Sequence, residues 1–338
     1  MKIKIKKKSL IKGWDLWKDG ITQSFIHSFL TCREQTRLKY KELWTNKKSS
    51  LAIEFGSCYH WMLSKIYKNP DVLKNIDLLI KEYRKLWSVQ NPVQGAKQCE
   101  QLELIFGIIK SMIPEYFERW NGDLSGKYKH GNSTVRPEKW IAFEHRFKIS
   151  YQYSDGKSTY LTGALDGCFY DKKKNLWLFE TKTKGMIDEE GIQDILPVDI
   201  QVMLYLYAMQ TEYKKRPEGV LYNVIRRPGQ RQLKDESLKS FLERIQKEVS
   251  NHKKYDHYFK RWELSITDKE MQDWKIEFLD PVMQEIRMWS EGKLPHYMNP
   301  DSLITKYGHS DMYGMILKND IGDCYRRKFV FNELIEDV

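Results

Sequence analysis

The chain has 338 residues, 41% hydrophobic and 30% charged, a composition that builds a folded core and excludes a disordered polar tract. It holds no run of about 18 apolar residues, so it offers no candidate membrane-spanning helix. Lysine and arginine number 57 against 46 aspartates and glutamates, and this net charge of +11 points to a polyanionic partner, nucleic acid or an anionic membrane surface, or else to a solvated lysine face.

The first residues, MKIKIKKKSLI, carry lysines without the apolar stretch of a secretory signal and alternate like a short strand or basic arm. Five cysteines, Cys32, Cys58, Cys99, Cys168 and Cys324, form no CxxC pair and read as reduced thiols of a cytoplasmic protein. From Thr22 to Trp120 apolar residues recur at helical spacing, as in Phe25, Phe29 and Cys32, and three or four helices are predicted. Breaks fall between Asn46 and Ser50, at Asn69-Pro70 and at Asn91-Pro92. Residues 121–137, rich in Gly, Ser, Asn, His and Lys, read as a loop.

The pattern then changes. Residues 139–152, 159–170 and 175–182 carry dense or alternating apolar side chains between turn signals, the pattern of a three-stranded meander. Residues 199–213 read as an apolar helix and 219–227 as a strand, so a mixed α/β core is expected. Helical periodicity returns at 236–255 and 267–290, and the tail from His296 is mixed. No internal repeat or low-complexity segment is visible.

The segment TGALDGCFYDKKKNLWLFETKTKG, residues 162–185, concentrates the chemistry. Asp166 falls on one predicted strand, Glu180 and Lys182 on the next, and side chains two apart share a strand face. Two carboxylates and a lysine beside Leu176, Leu178 and Phe179 are partly buried charges, which need pairing or a metal. A hard divalent cation, Mg²⁺ or Mn²⁺, suits such a set. The plainer alternative is a turn aspartate beside an exposed Glu180–Lys182 ion pair.

The arrangement Asp-(x13)-Glu-x-Lys resembles the motif of the PD-(D/E)XK nuclease superfamily, and its surroundings resemble the RecB-like exonuclease group. Gly163 precedes Asp166. AFEHRF carries Glu144, EFGSCYHWML carries Gly56 and His60, and IQVMLY carries Gln201 and Tyr205. The resemblance implies a restriction-endonuclease-like α/β core with a mixed sheet flanked by helices. Residues 1–138 would be an N-terminal arm and helical region supplying one metal ligand. Residues 139–338 would be the nuclease core with C-terminal helices, the whole forming one compact unit.

It further implies metal-dependent hydrolysis of DNA, by an exonuclease acting on ends or single strands in recombination, repair or phage DNA processing, with a recombination or replication protein as a further partner. His60, Asp166, Glu180 and the Thr181 carbonyl would hold the metal, with Lys182, Gln201 and Tyr205 beside it. Lys184, Arg226 and Arg227 are candidate phosphate contacts, and some of the 11 tryptophans and 20 tyrosines are candidates to stack on unpaired bases. Each has a structural alternative: packing for His60 and Tyr205, a core hydrogen bond for Gln201, a surface strand position for Glu144, a solvated loop for Arg226, Arg227 and Arg231. Some relatives carry an iron-sulfur cluster; Cys32 resembles its first ligand, but the tail offers only Cys324, so no cluster is expected. A structure-selective endonuclease with the same centre, or a non-catalytic nucleic-acid-binding subunit, stands as the alternative function.

Overall fold

The computed structural model describes residues 13–46, 50–91, 95–127, 135–305, 308–310, 312–318 and 325–327, so the expected basic arm and Cys324 lie outside the described residues. Helices α1 (Gln23–Thr31) and α2 (Arg33–Thr36) lead to strand β1 (Trp44–Asn46), then α3 (Leu51–Lys68), α4 (Ile76–Gln90), α5 (Ala96–Arg119) and α6 (Gly122–Ser125). Strands β2 (Lys139–Gln152), β3 (Ser158–Tyr170) and β4 (Leu176–Lys184) follow, then α7 (Glu189–Ile195), α8 (Ile200–Tyr213) and β5 (Pro217–Arg226). The chain continues through α9 (Leu238–Val249), α10 (Tyr255–Tyr258), β6 (Phe259–Ser265), α11 (Asp268–Trp274) and α12 (Asp280–Ser290) to β7 (Ile304–Thr305), β8 (Gly308–His309), α13 (Tyr313–Lys318) and β9 (Tyr325–Arg327). No helix among the described residues is long and apolar enough to cross a membrane.

The architecture is the expected mixed α/β one. A five-stranded sheet runs β2-β3-β4-β5-β6. β4 pairs antiparallel with β3 and parallel with β5, and β5 pairs antiparallel with β6. A parallel β4–β5 pair needs a crossover, and α7 and α8 supply it. Leu176 to Thr181 are all buried, as a central strand covered on both faces requires.

The chain divides into two compact units. One comprises Met1–Lys48, Lys148–Thr162 and Asp273–Val338, the other Ser49–Phe147 and Gly163–Gln272. In the first unit an aromatic cluster forms the core, with Trp14 4.3 Å from Phe25 and Phe29 5.7 Å from Trp289 between ring centroids. In the second, α3 and α5 press Tyr59, Met62, Ile66, Ile109, Met112 and Tyr116 against one face of the sheet, where Phe179, Leu221, Ile225 and Phe259 meet them. Each such side chain contributes roughly 1.5–3 kcal/mol on burial.

Helix boundaries follow their caps. The Ser50 hydroxyl accepts the Ile53 N–H at the start of α3, and Asn69-Pro70 ends that helix. Two elements depart from the sequence reading. The segment read as a loop after Trp120 contains α6, where Asp123 is buried. The stretch after Tyr258, left without a predicted element, is the edge strand β6.

Candidate active site

All the chemistry-bearing residues described next belong to the second unit. The antiparallel register of β3 with β4 runs from Tyr170–Leu176 to Gly167–Phe179. At the next position the strands are joined through a side chain: Asp166 Oδ2 accepts the Thr181 N–H at 2.8 Å. The other oxygen, Oδ1, faces His60 Nδ1 at 3.4 Å. His60 reaches this point because Gly56, one turn earlier on the same face of α3, has no side chain to hold the helix off β4. A Cβ there would lie 2.8 Å from Thr183 Oγ1.

Glu180 points to the opposite face of β4, toward α8. Its side chain is 1% exposed, and Oε1 accepts from Lys182 Nζ at 2.6 Å and Gln201 Nε2 at 2.7 Å. Lys182 also donates to Gln201 Oε1 at 2.6 Å. Gln201 is fixed because Asp199 caps α8, accepting from the Gln201 and Val202 N–H groups at 2.9 and 3.0 Å. Tyr205 follows one turn later, edge-on to Phe147 at 5.6 Å. Gly163 leaves the space for these two rings: a Cβ there would meet Phe147 at 2.7 Å and Tyr205 at 3.0 Å.

The electrostatics show a shortage of positive charge. Burial raises the Glu180 pKa, the Asp166 charge raises it further, and Lys182 and His60 only partly offset this. For Asp166, burial is outweighed by His60, the Thr181 N–H and Lys182, so its carboxyl is held below the usual range. Burial disfavours the His60 imidazolium, but Asp166, Glu180 and Glu144 outweigh it and raise its pKa. Lys182 is desolvated too, yet Glu180 and Asp166 raise its pKa and keep it an ammonium. The buried Glu180 Oε2 has no hydrogen-bond partner among the described residues. A buried carboxylate oxygen without a donor costs several kcal/mol unless a cation meets it.

Glu144 joins this site from β2. Its backbone is left-handed, φ 49°, which a non-glycine residue in a strand adopts only under constraint. One carboxylate oxygen of Glu144, one of Asp166 and a ring nitrogen of His60 lie within 4.8 Å of one another. They line a cleft of about 10 Å³ with Ser64, Tyr67 and Thr181, room for about one water-sized body. An imidazole with carboxylates around such a space fits a divalent cation.

Lys184 and Arg226 are partners in the β4–β5 register, and the Arg227 N–H donates to the Lys184 carbonyl at 2.8 Å. They therefore stand together at the ends of two parallel strands, one alternation beyond Lys182. Arg226 Nη1 lies 3.0 Å from His257 Nδ1. Arg231 is engaged separately, its carbonyl accepting from Arg244 at 3.0 Å.

Tyr222 is the site residue that sequence reasoning missed. It is the β5 register partner of Glu180, it is buried, and burial pushes its phenol up to about 12, with Lys182 opposing. Only the parallel register reveals it.

None of the curated protein sequences compared with the chain matches it. The model of the PD-(D/E)XK nuclease superfamily matches residues 21–292, a span that contains the sheet, Gly56, His60 and every carboxylate of the site, so the chain belongs to that superfamily of metal-dependent nucleases, with its restriction-endonuclease-like core.

Proposed function

We propose that the chain is a Mg²⁺- or Mn²⁺-dependent DNA exonuclease of the RecB-like group, acting in the cytoplasm on DNA ends or single strands. The observation that carries this reading is the unpartnered, buried Oε2 of Glu180 beside Asp166, His60 and Glu144. Asp166, Glu180, His60 and the Thr181 carbonyl hold the cation, and Glu144 adds a carboxylate. A hard divalent cation bound there supplies Lewis acidity toward a phosphate and a more acidic water.

The protein's own groups do the rest. Lys182 is charged and fastened between Glu180 and Gln201, so it acts as a fixed donor that offsets negative charge at the phosphate under attack rather than as a base. Burial, then Glu180 and Asp166, raise the Tyr205 pKa and keep the phenol neutral, a donor beside the strand being cut. Lys184, Arg226 and Arg227 take neighbouring phosphates.

In this proposal residues 1–138 form the helical region that lends His60 to a core at 139–338, and no iron-sulfur cluster is present. In support of the latter, Cys58 and Cys168 are free thiols buried in the fold. Recombination, repair or phage DNA processing is the setting proposed.

The test is digestion of end-labelled linear DNA and closed circular DNA with Mg²⁺ or Mn²⁺. The linear substrate should be degraded, the circle spared, and cleavage lost in Asp166→Ala and Lys182→Ala. A cut circle makes the enzyme an endonuclease with the same centre, and DNA binding without cleavage makes it a non-catalytic subunit.

A further inference from the structure

On the sheet face turned away from Glu180 and Lys182, the register partners Thr181, Asn223 and Arg261 form a row across β4, β5 and β6. Arg261 Nε donates to Asn223 Oδ1 at 3.1 Å, and Asn223 Nδ2 donates to Thr181 Oγ1 at 3.2 Å. Arg261 is itself buried, its side chain 2% exposed against 0% for Asp123. Its two terminal nitrogens grip both Asp123 oxygens, Nη1 at 2.9 Å and Nη2 at 2.5 Å, and Nη2 also donates to the Tyr116 hydroxyl at 2.9 Å. The guanidinium lies 4.1 Å from the centroid of the Trp120 ring.

The same network has a second arm. The Tyr67 hydroxyl donates to Asp123 Oδ2 at 2.6 Å, and the Tyr67 ring stacks on Phe143 at 4.8 Å and 12°. Phe143 precedes Glu144, the strand residue with the left-handed backbone. One buried arginine thus braces Thr181 on one bank of the cleft and the neighbour of Glu144 on the other.

We propose that Arg261 is a positioning residue for the cation site, acting through Asn223 on Thr181 and through Asp123 and Tyr67 on Phe143. The inference rests on the nuclease reading above. Its physical basis is the geometry of Thr181, which lies past the last registered β3–β4 pair and keeps its ladder only toward β5. The Thr181 N–H must nevertheless hold Asp166 in place. A side-chain anchor on the free side removes the slack. A buried ion pair adds little net stability over apolar residues of equal volume. What it adds here is the position of a backbone segment, and groups that orient metal ligands typically alter cation affinity or activity 10- to 100-fold.

Two variants test this. Asn223→Leu cuts the link to Thr181 and leaves the Arg261–Asp123 pair. Arg261→Met with Asp123→Leu removes both charges together, so that neither is stranded. Mn²⁺ binding to the full chain, titrated by the paramagnetic resonance signal of free Mn²⁺, is compared with wild type and Asp166→Ala, and melting is followed in EDTA. The expected result is Mn²⁺ affinity roughly 10- to 100-fold weaker in folded variants. Wild-type affinity in either folded variant overturns the proposal and leaves Arg261 a packing residue; should the double variant fail to fold, Asn223→Leu decides alone. If wild type binds Mn²⁺ no better than Asp166→Ala, the nuclease reading itself fails.

Discussion

Gly56→Ala is the most informative single perturbation. The added Cβ would start 2.8 Å from Thr183 Oγ1, where ordinary contact begins at 3.4 Å, so about 0.6 Å must be found. Thr183 is β-branched and stiff at χ1, which leaves part of the adjustment to α3. His60 lies on the same helix face one turn further on, and it moves with the helix. Stability changes little: helix propensity favours alanine by about 1 kcal/mol, while overpacking costs roughly 1–3 kcal/mol. Activity changes more. Misplacing a positioned group by about 1 Å costs on the order of 100-fold, so a few tenths of an ångström costs roughly tenfold. The assay is single-turnover cleavage over a Mn²⁺ series, beside urea unfolding in EDTA. Adding Thr183→Ala removes the obstructing oxygen, and the double variant should recover most of the rate. Wild-type rate and Mn²⁺ dependence in Gly56→Ala alone would mean that Thr183 simply rotates away, refuting the link between close helix approach and His60.

Two other expectations follow from the same geometry. Lys184→Ala and Arg226→Ala should each weaken DNA binding without sequence preference and flatten the plot of log affinity against log salt by about one charge. Fluorescence anisotropy between about 50 and 200 mM salt reads this, and an unchanged slope assigns both residues to a solvated edge. Gly163→Val drives a side chain into two rings, Phe147 and Tyr205, and should cost roughly 1–3 kcal/mol or more. Thermal unfolding measures it, and a variant as stable as wild type shows that the rings yield.

Much of this was legible in the sequence because period and spacing are local properties. The meander, α8 and β5 follow from alternation and from an apolar run between turn residues. Gln201 and Tyr205 follow from the i, i+4 rule. What was illegible depends on partners distant in the chain. FKRWELS has no clean alternation; β6 is a strand because β5 offers it a ladder. NGDLSG reads as a loop, and nothing local says that Asp123 is buried against an arginine 138 positions later. Glu144 was ambiguous because its value to the site depends on a left-handed backbone that no strand pattern encodes.

The comparison of two buried charge clusters in one sheet shows what distinguishes a ligand site from a structural ion pair. Across the row Thr181–Asn223–Arg261 every guanidinium nitrogen has an acceptor and both Asp123 oxygens have donors. That cluster is electrically complete and asks for nothing from solution. One residue back along β4, on the other face, Glu180 has one oxygen served by Lys182 and Gln201 and the other by nothing among the described residues. In sequence both are a charge inside an apolar strand, and burial alone would rank them equally. The number of unmet lone pairs separates them, because a fold tolerates a stranded buried oxygen only where something else arrives to satisfy it. The catalytic face of β4 is therefore the incomplete one, and the complete face behind it is what keeps the incomplete one in shape.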